Sequence, residues 1–249
     1  YREKTWRYLI FNNLNQQVDR IDEIGQACVR LPEDHGLIFP GGYYLQNGDC
    51  KRFDDNTDGL RFKRAIKSPN GEDVLYVFYE PVEGRAALFA YNMIEKQLQN
   101  PIFCHGYGLF ENGLGVFFNA ESEEPTRVHP MQIWQTPYVS DEFANNTPAS
   151  QTFLGRIGNP ELVRGISDLY SVCRSISNQS VSAGLYEDLT KSVKRLFDAY
   201  HWLSDSSLDG VLPLLKDISA TANLVIGEFD KVESIRRNSV EALREAELA

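Results

Sequence analysis

The sequence predicts an α+β protein: antiparallel β-hairpins, propeller-like but incomplete, followed by a helical bundle with a coiled-coil-like C-terminal helix. Three observations carry this. Asn47-Gly48, Asn70-Gly71 and Asn112-Gly113 each sit between aromatic or β-branched runs, and Asn-Gly supplies the positive φ angles of tight hairpin turns. A loose repeat pairs His35-Gly36, Ile38-Phe39 and Tyr43-Tyr44-Leu45 with His105-Gly106, Leu109-Phe110 and Val116-Phe117-Phe118. After Asn159-Pro160 the apolar period changes from two to that of a helix, with Asn as N-cap and Pro at the first helical position.

The expected organisation is a β module over 1–140, a polar connector over 141–158 and a helical segment over 159–249. Asp58-Gly59 and Glu83-Gly84 add weaker turn signals. The clearest strands are Val74–Tyr79 and Ala86–Tyr91. Val74, Tyr76 and Phe78 share one face and Leu75, Val77 and Tyr79 the other, so both faces are apolar and the strand is buried on both sides. Hairpin units recur every 30 to 40 residues, near the length of a four-stranded propeller blade. About three units fit where a closed propeller needs at least four. Leu162, Ile166, Leu169, Cys173 and Ile176 make one helical seam. Leu185, Leu189, Val193, Leu196, Tyr200 and Leu203 make a second, and Val211, Leu215, Ile218, Ala222, Val225, Phe229 and Val232 a third. The third continues past Arg236 with weaker apolar spacing, through Val240 and Leu243, as expected of an arm available for self-association.

The chain has 249 residues, 42% of them hydrophobic, and a formal net charge of −10. That composition supports a core and argues against a broad basic nucleic-acid face. Arg61, Lys63, Arg64 and Lys67 are the densest basic cluster. Strict alternation puts Arg61, Lys63 and Lys67 on one face and Arg64 on the other, and this strand is the minor candidate for nucleic-acid contact. Cys28, Cys50, Cys104 and Cys173 have no CxxC spacing and read as reduced, mostly buried thiols of a cytoplasmic protein. The polar start Tyr1–Lys4 has no signal-peptide pattern, and no apolar run suits a membrane span. A start without Met and a helical pattern running into Ala249 read as a piece of a longer protein.

No catalytic set is legible. The phosphate-loop pattern G-x-x-x-x-G-K-[ST] does not occur, and Gly106-Tyr107-Gly108 lacks the third glycine of a dinucleotide fingerprint. Asp54, Asn56 and Asp58 precede Gly59 as in the first half of a calcium loop, but Ala65 stands where the closing Glu belongs. They are the weak metal candidates, and a cryptic calcium-assisted hydrolase site there is the alternative to a scaffold. His35, His105, His129 and His201 are too scattered for a metal set, and Cys104-His105 point to opposite faces if they lie on a strand. Trp134 and Tyr138 are the aromatic interaction candidates.

The strings LPEDHGLIFPGGYYLQNGD, LRFKRAIKSPNGEDVLYVFYEPVEGR, NPIFCHGYGLF and EPTRVHPMQIWQTP are similar to the central region of large bacterial proteins described as AAA-type ATPases involved in DNA repair. WRYLIFN and RIDEIGQACVRL fit the same resemblance, and NPELVRGISD continues it into the helices. The resemblance implies a parent with coiled-coil regions and a C-terminal ATPase module using ATP and Mg²⁺. None of that module's phosphate- or Mg²⁺-binding residues has a counterpart here. The expectation is a non-catalytic scaffold without a cofactor of its own, partnered by the rest of the parent chain.

Overall fold

The computed structural model describes residues 6–13, 15–120, 130–146, 148, 151–178, 181–205, 208 and 210–248. The chain divides into two compact units, Tyr1–Gln151 and Thr152–Ala249.

Among the described residues the first unit holds four antiparallel sheets that follow one another in chain order. β1 (Leu9–Asn12) pairs β2 (Gln17–Arg20). β3 (Val29–Arg30), β4 (Gly36–Phe39), β5 (Gly42–Leu45) and β6 (Cys50–Arg52) form a meander. In the third sheet β7 (Arg61–Lys67), β8 (Asp73–Glu80), β9 (Arg85–Asn92) and β10 (Gln97–Leu98) run in sequence, and β11 (Ile102–Cys104) also pairs β9. The fourth consists of β12 (Gly106–Leu109), β13 (Leu114–Phe118) and β14 (Met131–Gln135). A short helix, α1 (Asp141–Asn146), ends the unit.

The hairpins turn where Asn-Gly predicts. Gly48, Gly71 and Gly113 have φ of +94°, +77° and +79°, conformations that glycine adopts without steric cost. In each turn the Asn carboxamide also bridges the glycine. Asn47 Oδ1 accepts the Asp49 N–H (3.0 Å), Asn70 Oδ1 that of Glu72 (3.1 Å) and Asn112 Oδ1 that of Leu114 (3.2 Å). The dipeptide thus supplies both the backbone conformation and a local hydrogen bond.

The sheets pack face on face. Val74, Tyr76 and Phe78 of β8 join Phe89 and Tyr91 of β9 against Ile38 of β4. The opposite face, with Leu75, Val77 and Leu88, packs on Phe117 of β13 and on Cys104. Phe39 and Tyr44, on the far side of the second sheet, pack against Ile10 of β1 and Ile21. Every large apolar side chain removed from water in this way contributes about 1.5–3 kcal/mol. β8 is therefore buried on both faces, as its sequence predicts. The series has the character of successive propeller blades, and no closed barrel forms among the described strands. The His-Gly repeat has a structural counterpart: Gly36 opens β4 and pairs Leu45, and Gly106 opens β12 and pairs Phe118.

In the second unit, α2 (Phe153–Ile157) precedes α3 (Asn159–Asn178), α4 (Ala183–Ala199) and α5 (Val211–Leu248). The stretch 141–158, read as a connector, carries two short helices; Thr152 caps α2 by accepting the Gly155 N–H at 3.1 Å. Ser182 caps α4 in the same way, from Leu185 N–H. Leu189, Val193 and Leu196 of α4 pack with Tyr200, Trp202 and Leu203 and with Leu215 and Ala222 of α5. The seam predicted for α3 is corrected. Leu162 and Leu169 face the cluster with Val172, but Ile166, Cys173 and Ile176 are exposed. The inward face instead uses Gly165, which lies beneath Trp202. The cysteine reading is also corrected: all four thiols are free, but only Cys104 is buried.

Candidate interaction surfaces

The basic strand does not present the face that alternation predicts. β7 pairs β8 with a register shift between Phe62 and Arg64, a β-bulge at Lys63. Directly opposed residues of an antiparallel pair point to the same side of the sheet. Arg61 opposes Tyr79 and Arg64 opposes Val77, whereas Lys67 opposes Val74 on the other side. The Lys63 ammonium lies 4.5 Å from the Tyr79 ring centre. Arg64 stacks on Tyr107, and its Nε–H donates to the Tyr107 hydroxyl at 3.1 Å. One extra residue thus gathers Arg61, Lys63 and Arg64 on one face with two tyrosines and sends Lys67 to the other.

The Asp54–Asp58 segment forms a turn in which Asn56 Oδ1 accepts the Asp58 N–H at 3.1 Å. The Arg85 guanidinium donates to the carbonyls of Asn56 (2.7 Å) and Asp58 (3.0 Å), so a cationic side chain engages two backbone oxygens of the loop. Among the described residues no three His, Cys, Asp or Glu side chains gather as a metal site.

The histidines are separate. His35 Nδ1 meets the Tyr91 hydroxyl inside the sheet core. His105 Nδ1 accepts the Ala120 N–H at 3.1 Å. His201 starts a 3-10 turn, and His129 lies outside the described residues. Burial pushes the Cys104 thiol up to about 11, which keeps it protonated and weakly nucleophilic at neutral pH.

Trp134 and Tyr138 part company. Tyr138 is a core residue, 3% exposed, packed among Leu75, Leu88 and Phe117. Trp134 is half exposed on β14. The register places Met131 opposite Phe118 and Ile133 opposite Val116, on the face turned away from Phe117 and the core. Met131 (61%) and Ile133 (62%) are accordingly open to solvent. Sequence reading missed this pair because an apolar alternation signals burial wherever a second layer exists, and no other sheet covers this face among the described residues.

The other open surface is the distal part of α5. The helix has 38 residues, roughly 57 Å, against 20 for α3 and 17 for α4. Val211, Leu215, Ile218 and Ala222 belong to the bundle core, and Phe229 stacks near Tyr186 at 6.4 Å. Val232 was expected in the seam but is 63% exposed, and every described side chain beyond it is exposed.

These features define an α+β protein of stacked antiparallel sheets with a helical unit whose last helix outruns its bundle. Residues 1–201 match the family described as ATPase involved in DNA repair, and the chain belongs to that family. No curated protein and no solved structure matches the chain. No helix among the described residues is long and apolar enough to cross a membrane.

Proposed function

We propose that this chain is a non-catalytic scaffold module of a larger cytoplasmic ATPase, in which α5 is the coupling arm. The carrying observation is the exposed segment from Asp230 to Glu247, roughly 27 Å of helix beyond the last bundle contact. Its apolar residues Val232, Ile235, Val240 and Leu243 lie exposed along it, and such a stripe is stabilised by a second helix. That helix comes from the rest of the parent chain or from a second copy. ATP and Mg²⁺ belong to the parent's ATPase module, since the sequence here has no phosphate loop. The cations of β7 serve to protect an edge strand, and Lys63 and Arg64 lean on Tyr79 and Tyr107 accordingly.

The test combines Mg-ATP turnover with sedimentation of the whole chain. The expected result is no turnover, together with self-association or partner association that weakens when Val240→Asp and Leu243→Asp are combined. Turnover that survives stringent purification would overturn the scaffold reading. Association insensitive to the double substitution would overturn the arm.

A further inference from the structure

We infer that β14 is a homodimerisation edge: two copies pair antiparallel along Met131–Gln135 about a two-fold axis at Ile133. The pairing would fuse two three-stranded sheets into one of six strands.

The starting point is a contrast between edges. Among the described residues of the β unit two edge strands have five or more residues, β7 and β14. A strand edge exposes unpaired N–H and C=O groups, and proteins blunt it with charges, bulges or short length. β7 has all of Arg61, Lys63, Arg64 and Lys67, plus the bulge at Lys63. The remaining edges are four residues or fewer. β14 has no such device. Its sequence, Met-Gln-Ile-Trp-Gln, contains no charge and no proline, and its pairing to β13 runs without a register shift. All five residues are exposed, on both faces of the sheet.

The strand is also complementary to itself. Antiparallel pairing centred on Ile133 sets it against Ile133 of the second copy. Met131 then meets Gln135 of the second copy on the same face, and Gln132 meets Trp134 of the second copy on the other. Each cross-strand pair contains an apolar or aromatic member, and none brings like charges together. Next to β14, Leu114, Val116 and Phe118 extend the same apolar face across β13, so the fused sheet would carry one continuous apolar floor. Edge pairing leaves both faces of the fused sheet open, so its contribution is main-chain hydrogen bonding along five residues plus side-by-side contact of Met131, Ile133 and Trp134, a small interface of the weak class. A dimer of micromolar affinity is the expectation.

This inference is independent of the α5 arm, and the experiment keeps the two apart. The whole chain with Val240→Asp and Leu243→Asp is the parent for sedimentation equilibrium. It should dimerise at tens of micromolar. Adding Ile133→Lys should weaken the dimer by roughly a hundredfold, since the two-fold axis places like charges face to face. Its urea midpoint should stay unchanged, because residue 133 is exposed. Ile133→Glu should do the same, and an equal mixture of the Lys and Glu chains should restore the dimer. A monomeric parent at these concentrations would overturn the proposal and leave the edge to an extended segment of another protein. So would a dimer indifferent to Ile133→Lys, or a Lys/Glu mixture that stays monomeric.

Discussion

The indole of Trp202 lies directly over Gly165, so a Cβ built at residue 165 would stand 2.4 Å from Trp202 Cζ2. Gly165 and Trp202 are both buried in the helical unit. The absent side chain on α3 is what lets the benzo edge of a large ring from the turn after α4 approach the helix this closely, and an aromatic ring offers a rigid edge rather than a flexible end. Gly165→Ala should therefore destabilise the unit by about 1–3 kcal/mol through overpacking, although alanine is the better helix former. A urea melt followed by Trp fluorescence checks this, and an unchanged or higher midpoint would refute the close packing.

The turn between β8 and β9 is closed by a buried carboxylate. Glu80 accepts the N–H of Glu83 (2.7 Å) and that of Val82 (2.6 Å). These two backbone donors hold its pKa below the ordinary value of 4.5. The folded state thus binds its proton less tightly than the unfolded chain. Its contribution to stability is fully present above the ordinary carboxylate pKa and is lost as pH falls through the lowered folded value. In Glu80→Gln the loss of urea midpoint between about pH 6 and about pH 3 should be smaller than in the wild type. An identical pH profile for the two proteins would show that the turn does not hold the charged form.

Much of the β unit is legible in the residues, because Asn-Gly turns and two-faced apolar strands are local signals. Val74 to Tyr79 reveals its double burial through its own composition. The bulge at Lys63 is not local: nothing in Arg-Phe-Lys-Arg-Ala-Ile-Lys says which residue is unpaired, and one unpaired residue reverses the faces of all that follow. The α3 seam fails for a related reason. A search for aliphatic spacing finds Ile166 and Cys173 and passes over Gly165, whose contact comes from a ring that arrives more than thirty residues later. The exposed stripe on α5 was partly visible, since Val240 and Leu243 leave the earlier spacing. The open edge at β14 was not, because Trp134 and Tyr138 look alike in sequence and only the packing separates them.

The face of β7 gives a prediction about nucleic acid. Arg61, Lys63 and Arg64 share a side, but Lys63 and Arg64 are held on Tyr79 and Tyr107 and the chain as a whole carries −10. Three cations release few counterions, and non-specific binders at physiological salt reach only about 10⁻⁴–10⁻⁶ M. Fluorescence anisotropy with a labelled single-stranded oligonucleotide should show no binding in that range at physiological salt. Salt-sensitive binding that disappears when Arg61, Lys63 and Arg64 are all changed to Ala would instead make the bulged face a nucleic-acid contact.

The two halves of α5 should respond in opposite ways to the same chemistry. Val225 and Phe229 are partly buried and lie at the end of the bundle seam, with Phe229 near Tyr186. Replacing both with Asp removes apolar burial and puts two carboxylates against an apolar neighbour. The combined cost should be about 3 kcal/mol or more. Val240 and Leu243 are exposed and lie outside the bundle cluster, so the same pair of changes there leaves the bundle core intact. Each should cost only about 0.5 kcal/mol, chiefly from the weaker helix propensity of Asp. Sedimentation should show the reverse order of effect, with association through the arm weakened by the distal pair while the chain remains folded. Urea melts on a dilute, monomeric chain separate folding from assembly. If both double variants lowered the midpoint equally in those melts, the distal half of α5 would be part of the folded core, and the arm would not exist.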